Sequence, residues 1–284
     1  MSVTSTPNGS NNEPSFYDYL PTAENMAKLF VSPVAAGAAV VPAMGDLIKK
    51  SADQTERPHP KMTNVEVLKE GVKTSPVVGV IVGVQTELQK KTKKVLFGDS
   101  TEPSFTKEFV SSGVVGLLSA PALAVFNGRT MGLKALQSLR QLTAKQAGAI
   151  AGQESFFVAG VSSADPLATE MRNLVGSNKK ENDPEEDDEF FAGKPAKFFV
   201  DKGVDYAAAY ASGWAGSAAG HPFNTALTRW QNKMKVTRTR QLWLGTMRKA
   251  HGIGKFAVAF KGGTDLLNYG VQRYQARHKR QAQK

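Results

Sequence analysis

The chain has 284 residues, with 36 Lys and Arg against 25 Asp and Glu, a formal net charge of +11 and a sequence pI near 9.7. That balance favours an anionic partner, either nucleic acid or an anionic membrane surface. Cysteine is absent, which excludes disulfides, thiolate nucleophiles, zinc ribbons and thiolate-held iron–sulfur clusters, and the histidines (His59, His221, His251, His278) are too scattered for a metal site.

In chain order, the first 27 residues hold no Lys or Arg but do hold Glu13, Asp18 and Glu24. Mitochondrial presequences are Arg-rich and acid-poor, and secretory signals open on basic residues, so this polar stretch reads as neither. Residues 1–23 are expected to form a disordered or docking tail. Three runs then lack Asp, Glu, Lys and Arg: 29–45, 109–128 and 206–228. Each approaches the length a bilayer span needs, about 20 residues. Each is also rich in Ala, Gly, Ser and Val, the small residues that let membrane helices approach closely. Weaker apolar segments, interrupted by charge or amide, follow at 72–86, 144–164 and 254–274. With a mean hydropathy of −0.30, a soluble all-helical protein remains the alternative.

Each strong run carries a late proline: Pro42, Pro121 and Pro222, spaced by 79 and 101 residues. Between the second and third lies an acidic insertion at 176–195, which reads as a solvated loop; without its 20 residues the second spacing becomes 81. Five residues before the prolines sit Gly37, Gly116 and Ser217, all small. This is a threefold internal repeat by spacing, helix type and small-residue position.

Three repeats of about this length, each a proline-kinked helix, a basic loop with a short helix and a second helix, resemble the mitochondrial carrier family. The nearest local match is GHPFNTALTRWQ at 220–231, where Pro222, Arg229 and Gln231 fit the family's Pro-x-[Asp/Glu]-x-x-[Lys/Arg]-x-[Lys/Arg] motif and its following Gln. Phe260-Lys261-Gly262 looks like the family's start of an even-numbered helix, where cardiolipin phosphate meets helix amides. Gln153-Glu154 falls where many members carry Arg with an acid. The resemblance covers about 24–280. It implies an all-α membrane protein of three pseudo-repeats, each of two transmembrane helices and a short matrix helix, the six-helix carrier fold. The repeats would occupy 24–99, 105–175 and 196–275, followed by a basic C-terminal tail at 276–284.

The departures from the family carry the functional reading. Two residues after the prolines, where the family has acids, stand Met44, Leu123 and Asn224. Five residues after, where it has bases, stand Leu47, Phe126 and Leu227. In carriers those charges form the ion pairs that close the matrix gate and break during transport. Alternating access needs two states close in free energy, so their replacement by Met, Leu and Phe favours one state.

Two basic stretches, 129–153 and 232–264, contain Lys and Arg and no Asp or Glu. Positive loops face the side of negative potential, here the matrix, which directs both termini and the acidic insertion to the intermembrane space. No zinc-finger, RNA-recognition or helix-turn-helix signature accompanies the basic charge, so nucleic acid is not the expected partner.

The expectation is therefore a transport-inactive, carrier-like accessory subunit of an inner-membrane respiratory complex. Its partners would be other subunits and lipid, with cardiolipin at Lys261 and Gly262 and no other cofactor or metal. The alternative is a divergent solute transporter with Gln153 and Glu154 at its substrate site. No nucleophile or phosphate-loop constellation points to an enzyme.

Overall fold

The computed structural model describes residues 23–98, 105–175 and 195–282, whose regular structure is all helix, joined by short turns and connections. In order they form α1 (Ala23–Gln54), α2 (Asn64–Phe97), α3 (Phe105–Leu118), α4 (Ala120–Thr130), α5 (Ala135–Arg140), α6 (Ala144–Ser162) and α7 (Ala164–Val175). Then come α8 (Pro195–Ala219), α9 (His221–Gln231), a 3-10 turn (Thr239–Trp243) and α10 (Thr246–Ala282). Of the expected segments, the N-terminal tail and the acidic insertion lie, apart from Ala23 and Pro195 at their borders, outside the described residues.

Local chemistry explains the helix starts. Thr63 with Glu66 opens α2, and Thr143 with Gln146 opens α6, each pair trading side-chain and backbone bonds so that orphan N–H groups at the helix start are satisfied. The Thr63 backbone N–H, and then its hydroxyl, hold the Glu66 carboxyl below the usual carboxylate range.

Helix breaks fall beside two of the three repeat prolines. Pro121 and Pro222 sit in the first turn of α4 and α9, just after Ser119 and Gly220. A proline cannot donate to the carbonyl four residues back, and its ring pushes that carbonyl aside, so the axis turns. Between α3 and α4 the turn is 77°. Pro42 behaves differently: α1 continues unbroken through both Pro33 and Pro42, packed along its length on α2 and α10.

Six helices close on themselves in chain order, α1 on α2, then α3, α6, α8 and α10, with α10 returning to α1. Close backbone approach sets two of these contacts. A methyl built on Gly160 of α6 would stand 2.6 Å from the Gly216 Cα of α8, and one on Gly79 of α2 would stand 2.7 Å from the Pro33 carbonyl oxygen of α1. The core between the helices is correspondingly built of Ala36, Val40, Ala43, Met44 and Leu47 on one side and Ala120, Ala124, Ile150 and Leu227 on the other.

The six-span carrier fold is not what this architecture supplies. Among the described residues one helix, Phe30–Gln54, is long and apolar enough to cross a membrane, and half of its apolar window is buried within the protein. Thr106–Leu118 and Ala120–Thr130 reach that standard only as a pair, across their bend. The reason is compositional. α2 carries Lys69, Glu70 and Lys73 near one end and Glu87, Lys90, Lys91, Lys93 and Lys94 at the other, while α10 carries Arg248, Lys249, Lys255, Lys261 and Asp265. In α8, Ala, Gly and Ser occupy positions where a span uses Leu and Ile.

Two smaller expectations also change. A short helix follows α4 and a 3-10 turn follows α9, but residues 55–63 form no helix. The last helix, expected over 254–274, runs for 37 residues.

The glycine contact gives a stability test. Gly160→Leu forces a side chain into the α8 backbone and is expected to cost at least the ~1–3 kcal/mol of an overpacked core. Gly148→Ala, whose Cβ meets nothing within 4 Å, is expected to be neutral or stabilising by up to ~1 kcal/mol. Thermal midpoints of the purified variants check the contrast.

Candidate functional site

The end of α1, together with α4 and α9, converges at one end of the helix ring. In α1 the positions 47, 50, 51 and 54 follow one helical face and bring Leu47, Lys50, Ser51 and Gln54 inward. The bend before α4 places Leu123, Phe126, Asn127 and Thr130 opposite them, and the break before α9 does the same for Asn224, Thr225, Leu227, Thr228 and Gln231.

Their side chains form one buried hydrogen-bonded network. Asn224 Oδ1 accepts from Lys50 Nζ at 3.1 Å and from Gln54 Nε2 at 3.0 Å, while Gln54 Nε2 also reaches Thr225 Oγ1 at 2.8 Å. Asn224 Nδ2 donates to Gln153 Oε1 at 2.6 Å, which ties α6 to the group. Asn127 Nδ2 donates to Gln231 Oε1 at 2.6 Å, and Gln231 Nε2 returns a bond to the Ala124 carbonyl at 3.0 Å. Arg229, 3 % exposed, donates to the Gln54 carbonyl at 3.2 Å and pairs with Glu56 at 3.1 Å.

Positions equivalent in the repeat meet here. Ser51 and Thr130, each nine residues after its proline, lie 3.1 Å apart at their hydroxyls. Asn127 and Thr228, each six after, lie at 3.4 Å.

Above the network is a narrow cavity of about 120 Å³. Leu47, Leu123, Phe126, Asn224 and Leu227 line it, whereas Met44 is buried in the α1 core and does not. Glu154, 5 % exposed, separates this cavity from a wider one of about 510 Å³ toward the other end and lines both. Its carboxylate accepts from Gln153 at 3.2 Å and Gln85 at 3.4 Å. The wider cavity is rimmed by interhelical ion pairs: Lys93 with Glu108, Lys261 with Asp165 at 3.6 Å, and Lys202 with Asp265 at 3.3 Å.

Lys261 and Gly262 thus occupy the middle of α10, whose start is at Thr246. No helix N-terminus exists there to offer free amides, so the expected phosphate cradle for cardiolipin is absent at that position. Lys261 faces the wide cavity and Gly262 faces Tyr206.

Sequence reasoning missed Lys50, Gln54, Asn127, Thr225, Thr228 and Lys249. For Lys50 and Gln54 the signal was available, since they continue the face of Leu47 by one and two helical turns. Lys249 had none, because its partners come from distant segments.

Comparison with family models, curated proteins and solved structures yields no match.

Asn224 is the test of the network. Asn224→Leu leaves Lys50, Gln54 and Gln153 without a shared partner and is expected to cost about 3 kcal/mol or more, since each buried unsatisfied group costs ~1–3 kcal/mol. Asn224→Asp keeps the acceptor for Lys50 and Gln54 and loses the bonds that Nδ2 donates to Gln153 and, at 3.5 Å, to Asn127, so its loss is expected to be smaller. Denaturant midpoints give the ranking.

Proposed function

We propose that the chain is a non-transporting, membrane-embedded structural subunit of a larger assembly in the mitochondrial inner membrane. The observation that carries the reading is the closed end, where α1, α4 and α9 are joined by buried amide and hydroxyl bonds and by packed Leu47, Phe126 and Leu227 in place of a breakable ring of ion pairs. At about 1 kcal/mol net per hydrogen bond, those links together oppose opening by several kcal/mol. A differential of about 5.5 kcal/mol is what it takes to carry a two-state equilibrium from 1:99 to 99:1. The closed state therefore dominates.

The side-chain distribution supports membrane embedding. Val65, Leu68, Val72, Val80 and Val84 are exposed along one face of α2, and Phe30, Val34, Val110, Leu117 and Leu118 are exposed on α1 and α3. Meanwhile Lys50, Gln54, Asn127, Glu154, Asn224, Arg229 and Gln231 are buried. Apolar groups outward and hydrogen-bonded polar groups inward is the economical arrangement in lipid. The small-residue contacts between helices suit the same solvent.

A second reading is favoured by one observation: the 510 Å³ cavity leads to Glu154, beyond which Gln153 lines the narrow cavity, as a divergent solute transporter would require.

Gentle solubilisation of native membranes followed by native electrophoresis separates the two. Stable co-migration with a large respiratory assembly, and no uptake of nucleotide, carboxylate or amino acid by the reconstituted chain, are expected. Migration as a free species together with saturable uptake would defeat the structural reading.

A further inference from the structure

The closed end buries two lysines. Lys50 is 3 % exposed and Lys249 is 5 % exposed, and both line the narrow cavity. The only acid lining it is Glu154, whose carboxylate already accepts from Gln85 and Gln153. Lys50 is held by Asn224, but the Lys249 ammonium has no hydrogen-bond partner among the described residues. Glu154 is thus the one opposite charge for two buried ammonium groups, which leaves the lining with an excess positive charge whose desolvation is only partly offset. At ~30 Å³ per water, the cavity has room for an anion of about four or five heavy atoms.

We propose that the narrow cavity is a binding site for a small oxyanion, held between the ammonium groups of Lys50 and Lys249. Two point charges, one from α1 and one from the neighbouring α10, both lining one small space, suit a compact tetrahedral or trigonal anion better than an extended ligand. Access is from the wide cavity past Gln85, Glu154 and Phe157, which border both spaces. Once bound, the anion joins α1 to α10 at the level of the polar network and reinforces the closed state.

Lys249 lies outside the candidate span, in the first turn of α10. Burial, and then the neighbouring Lys50 ammonium, pull it down to about 7, with Glu154 acting in the opposite sense. An anion binds the ammonium form, so its affinity is full below that value and falls as pH rises through it. The charged and titratable groups facing Lys249 are Lys50, Glu154 and His221.

Sulfate is the probe, since its charge is constant across this range. Calorimetric titration of the purified full chain at about pH 6.5 is expected to show saturable one-to-one binding, weakened at least tenfold at about pH 8.5. Lys249→Gln is expected to lose at least tenfold in affinity. Lys249→Met is expected to lose binding as well, and added sulfate, which raises the thermal midpoint of the wild-type chain, is expected to leave that of this variant unchanged. No saturable binding to the wild-type chain, or equal binding at the two pH values, overturns the site even where a variant does not fold. The site does not rest on the structural-subunit reading: uptake of sulfate by reconstituted vesicles would defeat that reading and leave the site standing.

Discussion

The closed end depends on one side chain accepting from two directions and donating in a third. Asn224 takes bonds from Lys50 and Gln54 of α1 and gives one to Gln153 of α6, while standing on α9 itself. It reaches that position because Pro222 prevents α8 from continuing straight, so the polar face of α9 turns across the ring instead of running alongside it. The same break brings Thr228 and Gln231 to Asn127.

Much of this organisation was legible in the sequence and some was not. The spacing of Pro121 and Pro222 marked the true helix breaks, because a missing N–H acts locally whatever surrounds it. The same residue type at Pro42 left α1 unbroken, since continuous packing on α2 and α10 overrides the local effect. Phe260-Lys261-Gly262 looked like a helix start but lies deep in α10, because nothing between Thr246 and Lys261 interrupts the helix. At the site, Leu47, Phe126, Asn224 and Leu227 were identified from what they replace in a repeat. Lys50 and Lys249 are 199 positions apart in sequence, and their convergence on one cavity exists only in the fold.

The expectation of six spans failed for a reason tied to how the helices pack. Contacts such as Gly160 on Gly216 and Gly79 on Pro33 demand small residues, and every Gly, Ala or Ser placed there is a Leu or Ile not available to raise hydropathy. Among the described residues only Phe30–Gln54 meets the length and hydropathy standard by itself. Helix packing by backbone approach and helix insertion by hydropathy are separate demands, and in α8 the first is met at the expense of the second.

A lock made of amides differs in kind from one made of ion pairs. Buried ions attract strongly but lose comparable hydration energy, so an ionic gate can open into water with little net change. Amides and hydroxyls cost less to bury, yet each has both a donor and an acceptor to satisfy, and a particular geometry is needed to satisfy them together. Asn224, Gln54, Asn127 and Gln231 meet that requirement through one another, across three segments distant in sequence. A small displacement of any segment therefore breaks several bonds at once. The energy well of such a network is narrow, which is what the proposed structural role requires.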